Sequence, residues 1–250
     1  MRYIVWSIQN SGRVPLPTME ELYKEAPYLE RTGKGAAEGL PSPRHLSVHT
    51  PYSHTPIDAS ARYIYVARNP RDTCVSYYHF TKEGIGGSNY QDATFDEYFQ
   101  SFLEGNVPYG DYFDHVKGWW NHRHDSNVLF LTYEDMMANP KDAILKVASF
   151  ISTESHDYKK LLTERDCEIL EKIVKNTTFS MMKDMKVIIK AASTSSCGDP
   201  LLDSGVKVNF FRKGIVGDWI NYFSSQQLDQ LNRKMIHKVA GSGIEHLWSF

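Results

Sequence analysis

The chain has 250 residues, with 28 Lys plus Arg against 30 Asp plus Glu for a formal charge of −2, and three cysteines. That near-neutral balance argues against broad, nonspecific binding to nucleic acid or anionic lipid, so any anion is recognised locally. The length suits one α/β domain over 1–250 with a sizeable core. The odd set Cys74, Cys167 and Cys197 lacks metal-ligand spacing and suits a reducing compartment, not a disulfide scaffold or a metal centre. No apolar run approaches a membrane span and no secretory leader is visible, so no membrane partner and a cytoplasmic location are expected.

Met1 to Ile8 is apolar and helix-compatible but lacks a capping residue. Pro15 and Pro17 break it, and Thr18 with Glu21 three residues on predicts a capping box for a short helix reaching about Ala26. Arg31 to Gly39 contains Gly33-Lys34-Gly35, but no Ser or Thr follows the Gly-Lys pair and no strand feeds it. A surface loop is expected there, not a phosphate loop. His45 to His49 alternates and ends before Pro51, which predicts a strand with His49 at its carboxyl edge. A histidine there is either an ordinary hydrogen-bonded residue or a catalytic one.

The stretch from Tyr63 to Phe80 organises the chain. Tyr63 to Ala67 is a β-branched and aromatic run without alternation, the pattern of a strand covered on both faces in a parallel sheet. Asn69 is a good N-cap, Pro70 suits the first helical position, and Asp72 lies in the favourable first turn. Arg68 therefore lies at a strand's carboxyl end and Ser76 in the following helix, where a cation and a hydroxyl can converge beside free N–H groups on an anion. The ordinary alternative pairs Arg68 with a carboxylate and leaves Ser76 in solvent.

A polar glycine loop is expected over Glu83 to Asn89, then helices over Phe95 to Leu103 and Tyr109 to Trp120. Asn127 to Tyr133 reads as a second buried strand. Asn139-Pro140 repeats the capping grammar of Asn69-Pro70, and Thr163 is expected to cap a helix whose inner face is Ile169, Leu170, Ile173 and Val174. Ala191 to Gly205 is rich in Ser, Thr, Gly, Asp and Pro, as a lid or disordered segment would be. Arg212-Lys213-Gly214 offers cations beside a permissive backbone. A last helix is predicted with Ser224 and Gln227 as its capping box and Leu228, Leu231, Met235 and Val239 inward, stopping at Gly241.

R-N-P-R-D-T-C-V-S-Y-Y-H-F at Arg68 to Phe80, Y-E-D-M at Tyr133 to Met136, and F-F-R-K-G-I-V-G-D-W at Phe210 to Trp219 closely resemble the cytosolic sulfotransferases. Order and spacing agree over nearly the whole chain. The resemblance implies a P-loop NTPase-like α/β fold with a central parallel sheet, and sulfuryl transfer from 3′-phosphoadenylyl sulfate (PAPS) without a metal. Carried over residue by residue, Arg68 and Ser76 would hold the nucleotide's 3′-phosphate, with Arg212, Lys213 and Gly214 closing on it. Tyr133, Thr177 and Met182 match positions around the adenine, and Phe211 replaces a methionine common before R-K-G. His49 matches the catalytic histidine and would act as general base. Phe80 and Phe113 would line a pocket for a small hydroxylated acceptor, phenolic or steroid-like.

Three departures from the family pattern shape further expectations. The family places a strand and a glycine-rich phosphosulfate loop with a catalytic lysine just before the helix that Met1 to Ile8 resembles, so an amino-terminally truncated, poorly active fold is expected of the sequence as written. Ser47 stands where many relatives carry a lysine. Ile220, Ser224, Ser225 and Asp229 occupy the places of the Lys, Thr, Val and Glu of the family's dimer motif, which argues against a family-type homodimer. A noncatalytic nucleotide- or small-ligand-binding protein on the same fold is the alternative reading. A P-loop kinase is the weakest, because no Walker lysine follows a glycine loop.

Overall fold

The computed structural model describes residues 1–14, 17–83, 90–164, 167–183 and 212–248. Pro15, the glycine loop at 84–89, the Ala191 to Gly205 span, Cys197, Phe210 and Phe211 lie outside the described residues. In chain order the elements are α1 (Arg2–Gln9), α2 (Met19–Glu25), α3 (Leu29–Glu38), β1 (Tyr63–Ala67), α4 (Pro70–Lys82), α5 (Phe95–Glu104), α6 (Tyr112–Trp120) and β2 (Val128–Thr132). There follow α7 (Tyr133–Ala138), α8 (Pro140–Ile151), α9 (Tyr158–Thr163), α10 (Glu168–Asn176), α11 (Phe179–Lys183) and α12 (Ser225–Val239). They form two compact units, Met1–Val48 with Asp135–Gly214, and His49–Glu134 with Ile215–Phe250.

The first unit is helical. α1 buries Tyr3, Val5, Trp6 and Ile8 and packs on α8 and α10. Thr18 and Glu21 form the expected capping box of α2. Where a surface loop was expected at Arg31 to Gly39, the chain is helical over Leu29–Glu38, with a break at Gly33 (φ 71°, ψ −179°). The good helix formers Ala36 and Ala37 and a Lys34–Glu38 ion pair at 3.3 Å favour helix beyond that break.

The strand expected at His45 to His49 reduces to one parallel bridge, Ser47 to Tyr28. Ser47 donates to the Pro27 carbonyl and accepts from the Leu29 N–H, both at 2.9 Å. The partner segment then turns into α3, so no ladder can extend towards His49. Thr163 does not cap α10. Asp157 captures the Lys160 N–H at 2.9 Å and starts α9, leaving Thr163 in that helix's last turn with its hydroxyl on the Lys159 carbonyl. Cys167 holds the N-cap position of α10 with no side-chain capping bond, although Leu170 and Ile173 are buried as expected. Nor does Asn139 cap α8 through its side chain. Its N–H is bonded to the Asp135 carbonyl at 2.9 Å, so α7 runs straight into α8.

The second unit carries the parallel pair β1 and β2, in register from Tyr63 opposite Val128 to Ala67 opposite Thr132. β1 is half-buried along Tyr63 to Val66 and fully buried only at Ala67, less covered than its apolar run implied. With two strands among the described residues, each has one unpaired edge. Asn69 caps α4 by accepting the Arg71 N–H at 3.0 Å, as its sequence predicts. The core joins Cys74 and Tyr78 of α4, Tyr98, Phe99 and Phe102 of α5, Phe113 and Val116 of α6, and Leu231, Met235 and Val239 of α12.

α6 is fastened to α12 by charge. Asp111 caps α6 by accepting the N–H groups of Phe113 at 2.8 Å and Asp114 at 3.1 Å. It also pairs with Lys234, and with Lys238 at 3.7 Å. Burial alone would raise its carboxyl, but the Lys234 and Asp114 hydrogen bonds and the two lysine charges hold it below the ordinary carboxylate value. A carboxyl so depressed contributes stability above the unfolded value of about 3.9, and that contribution is lost as pH falls through the folded value. Asp111→Ala, which removes cap and charge together, is expected to cost about 2 to 4 kcal/mol in urea denaturation at pH 7. Asp111→Asn keeps the cap and loses less, and its stability should depend less on pH below about 4 than that of the wild type. An Asp111→Asn variant as stable as the wild type at pH 7 would show that the ion pair contributes nothing, and equal losses for both variants would show the same of the cap.

Candidate functional site

The end of β1 delivers Arg68 to the start of α4. Its Nη2 donates to the Ile215 carbonyl at 3.1 Å, and its guanidinium lies 4.5 Å from the centre of the Tyr133 ring. Its Nε is buried and has no hydrogen-bond partner among the described residues. A half-buried cation with an unspent donor, beside the amino end of a long helix, suits a phosphate. The main chain here is fixed from two sides. The Tyr112 hydroxyl donates to the Arg68 carbonyl, and the Asn69 N–H donates to Glu134 Oε1 at 2.9 Å. Glu134 Oε2 in turn accepts from Trp248 Nε1 at 2.9 Å.

Asp72 in the first turn of α4 is 1% exposed. Its carboxylate accepts the Gly217 N–H at 2.7 Å and the Trp219 N–H at 3.1 Å. Arg71 lies over the Trp219 ring at 4.8 Å and donates to Asn232 Oδ1 at 2.9 Å. Three consecutive polar contacts thus tie the Ile215 to Trp219 segment to the turn that presents Arg68. Ser76 is half-buried farther along α4.

His49 is exposed and its ring stacks on Tyr109 at 5.1 Å, with the Tyr109 hydroxyl 3.4 Å from Nδ1. Tyr109 has a φ of 70°, rare for a bulky residue. The His49 carbonyl accepts from His115 Nε2 at 2.9 Å, and His115 Nδ1 meets the Tyr65 hydroxyl at 2.9 Å. Burial pushes His115 below the ordinary histidine value, the nearby His49 adds to that, and the bond to the His49 carbonyl opposes it. Of the apolar candidates, Phe80 is half-buried. Phe113 is 1% exposed and belongs to the core.

The remaining candidates lie in the first unit. Thr177 ends α10 with its hydroxyl on the Ile173 carbonyl at 2.8 Å, and Met182 is half-buried on α11. Gly214 has a φ of 66°, and a Cβ there would overlap the Phe179 ring. Glycine is therefore required, and the Arg212-Lys213-Gly214 stretch touches the α11 segment that carries Met182.

The sulfotransferase domain family matches residues 1–243. This chain belongs to the sulfotransferase family. Sulfotransferase 1B1 of Mus musculus is 36% identical over 252 residues, covering 97% of this chain and 79% of that protein. Sulfotransferase 1C2 of Oryctolagus cuniculus is 36% identical over 249 residues, covering 95% and 78%. The crystal structure of mouse sulfotransferase SULT7A1 complexed with PAP superimposes with a TM-score of 0.60 at 29% identity, covering 82% of this chain and 69% of that one. Retinol dehydratase in complex with androsterone and PAP shares the fold, with a TM-score of 0.68 at 22% identity over 96% and 76% of the two chains. This sulfotransferase thus has the P-loop-like α/β fold that its Arg68, Tyr133 and Phe210 motifs implied.

Sequence reasoning missed the grip of Asp72 on Gly217 and Trp219 and the Tyr65–His115–His49 chain. The first had a signal, a first-turn acid and a Gly-Asp-Trp triplet in two motifs of one family. The second had none, because its members are far apart in sequence and ordinary in type. Asp72→Ala should cost about 3 kcal/mol, the scale of hydrogen bonds to a buried charge, and should speed hydrogen exchange at the Gly217 and Trp219 amides. Unchanged exchange at those two amides would refute the assigned contacts.

Proposed function

We propose that this sulfotransferase transfers a sulfuryl group from PAPS to a hydroxyl, or an amine, of a small aromatic or steroid-like acceptor in the cytoplasm. The observation that carries the donor assignment is Arg68, held by Ile215 and Tyr133 with Nε unspent. A 3′-phosphate is the anion such a group would take. In this reading Arg68 and Ser76 bind that phosphate, and Arg212, Lys213 and Gly214 add donors to it. Tyr133, Thr177 and Met182 surround the adenine, and Phe211 takes the nucleotide-binding place of the methionine that it replaces. The requirement for glycine at 214 against Phe179 supports one surface for the late loop and the α11 segment. The PAP complex of the mouse relative supports the same nucleotide, and the chemistry supplied by bound PAPS is the activated sulfuryl group itself.

His49 accepts the proton of the acceptor hydroxyl as that oxygen is readied for attack. Its exposure beside Tyr109 supports that role. In this reading Phe80 and Phe113 line the apolar acceptor pocket. The names androsterone and retinol in the complexes of the structural neighbours favour small hydroxylated acceptors.

Calorimetry is expected to show that adenosine 3′,5′-bisphosphate binds better than AMP, and that Arg68→Ala weakens the bisphosphate by about 1.5 to 3 kcal/mol while hardly touching AMP. Equal affinities for the two nucleotides would sink the assignment. His49→Ala should abolish transfer from PAPS to a simple phenol and leave bisphosphate affinity unchanged. A His49→Ala protein with normal turnover would move the base elsewhere. Tight bisphosphate binding with no transfer in the wild type would favour a noncatalytic nucleotide-binding role.

A further inference from the structure

His49 lies in irregular chain, exposed, with no strand or helix to hold it. A general base needs a fixed backbone, since its reach to the acceptor proton is a single hydrogen-bond length. Two of the described contacts that fix the main chain here come from one face of α6, beside Thr55 Oγ1, which donates to the Thr50 carbonyl at 3.3 Å. His115 Nε2 bonds the His49 carbonyl at 2.9 Å, and Trp119 Nε1, one turn later, bonds the Thr50 carbonyl at 3.4 Å. Two consecutive carbonyls are therefore gripped by residues at i and i+4, which share a helix face.

The direction of each bond follows from what the atoms can do. A carbonyl only accepts, so His115 Nε2 must carry the proton. In the neutral ring Nδ1 is then an acceptor, and the Tyr65 hydroxyl, 2.9 Å away, must be the donor. Tyr65 also stacks on the rings of His115 at 5.7 Å and Trp119 at 5.3 Å, so one residue of β1 orients both clamp members. Burial keeps the Tyr65 phenol protonated and the His115 ring neutral, the states this chain of donors requires.

We propose that His115, oriented by Tyr65, is a positioning residue that sets the main chain of His49 for proton abstraction. The inference rests on His49 as the base, and its test separates the two. Nitrogen-15 NMR of the imidazoles should show His115 as the Nε2–H tautomer at neutral pH. In His115→Phe the backbone order parameters of His49 and Thr50 should fall from about 0.85 towards 0.6. His115→Gln, whose amide N–H can reach the same carbonyl, should restore them. In transfer from PAPS to a phenol, His115→Phe should lower kcat by up to about a hundredfold with acceptor KM and bisphosphate affinity at wild-type values, and His115→Gln should recover part of it. Unchanged order at His49 in His115→Phe would overturn the proposal, as would an Nδ1–H tautomer. Parallel loss of kcat, acceptor KM and nucleotide affinity would reduce His115 to a structural residue. A wild type without transfer would end the catalytic reading of His49, while the order parameters would still decide whether His115 holds it.

Discussion

A carboxylate taken out of water must be met by donors, and Asp72 is met by two backbone N–H groups from a segment far along the chain. The carboxylate also sits in the first turn of α4, where the helix dipole favours negative charge. These two compensations make one residue serve two structures. It completes the start of the helix that presents Arg68, and it fixes the path of Ile215 to Trp219, whose first carbonyl in turn receives Arg68 Nη2. Without Asp72 the donors at Gly217 and Trp219 would lose their partner, and the carbonyl that steadies Arg68 would be free to move. The placement of Arg68, and with it the proposed anion site, therefore depends on that buried carboxylate.

The arrangement also sets what kind of anion can be recognised. The protein's overall charge is close to neutral, so no long-range field draws ligands to it, and selectivity must come from donors placed at short range. Arg68 is held on one side by a carbonyl and on the other by the Tyr133 ring, neither of which neutralises it as a carboxylate would. Arg71, one helical turn's start away, is committed instead to Asn232 and the Trp219 ring. Arginines three residues apart thus have different partners, assigned by what the fold brings to each.

The parts of this architecture that were legible in the sequence are those fixed by local chemistry. The β-branched run of β1, the Asn69-Pro70 start of α4, the capping boxes at Thr18 and Ser224, and the apolar stripe of α12 each form within a few residues, and each is found where it was expected. The misreadings share a cause of another kind. Asn139 and Thr163 have good capping side chains, yet an upstream helix had already consumed the neighbouring backbone, by the Asp135 carbonyl in one case and the Asp157 cap in the other. The alternating His45 to His49 run has strand composition but meets a partner at Ser47 alone. Local propensity proposes an element, and competition for hydrogen-bond partners decides it. In the proposed site, Arg68 and His49 stand out in the sequence because their types carry chemistry; their supports, Asp72 and His115, act through contacts with residues more than sixty positions away.

The two histidines at His49 show how one side-chain type can fill opposite roles within one hydrogen bond of each other. His115 is enclosed, and burial holds it neutral, so it can serve as a fixed donor to a carbonyl and a fixed acceptor from Tyr65 without changing state near neutral pH. His49 is exposed beside Tyr109. Were His115 to become charged, its Nδ1 would turn from acceptor to donor and oppose the Tyr65 hydroxyl. The enclosure of one ring therefore protects the geometry on which the exposure of the other depends. The proposed base, on an irregular stretch of chain, acquires in this way the positional certainty that a strand end would otherwise provide.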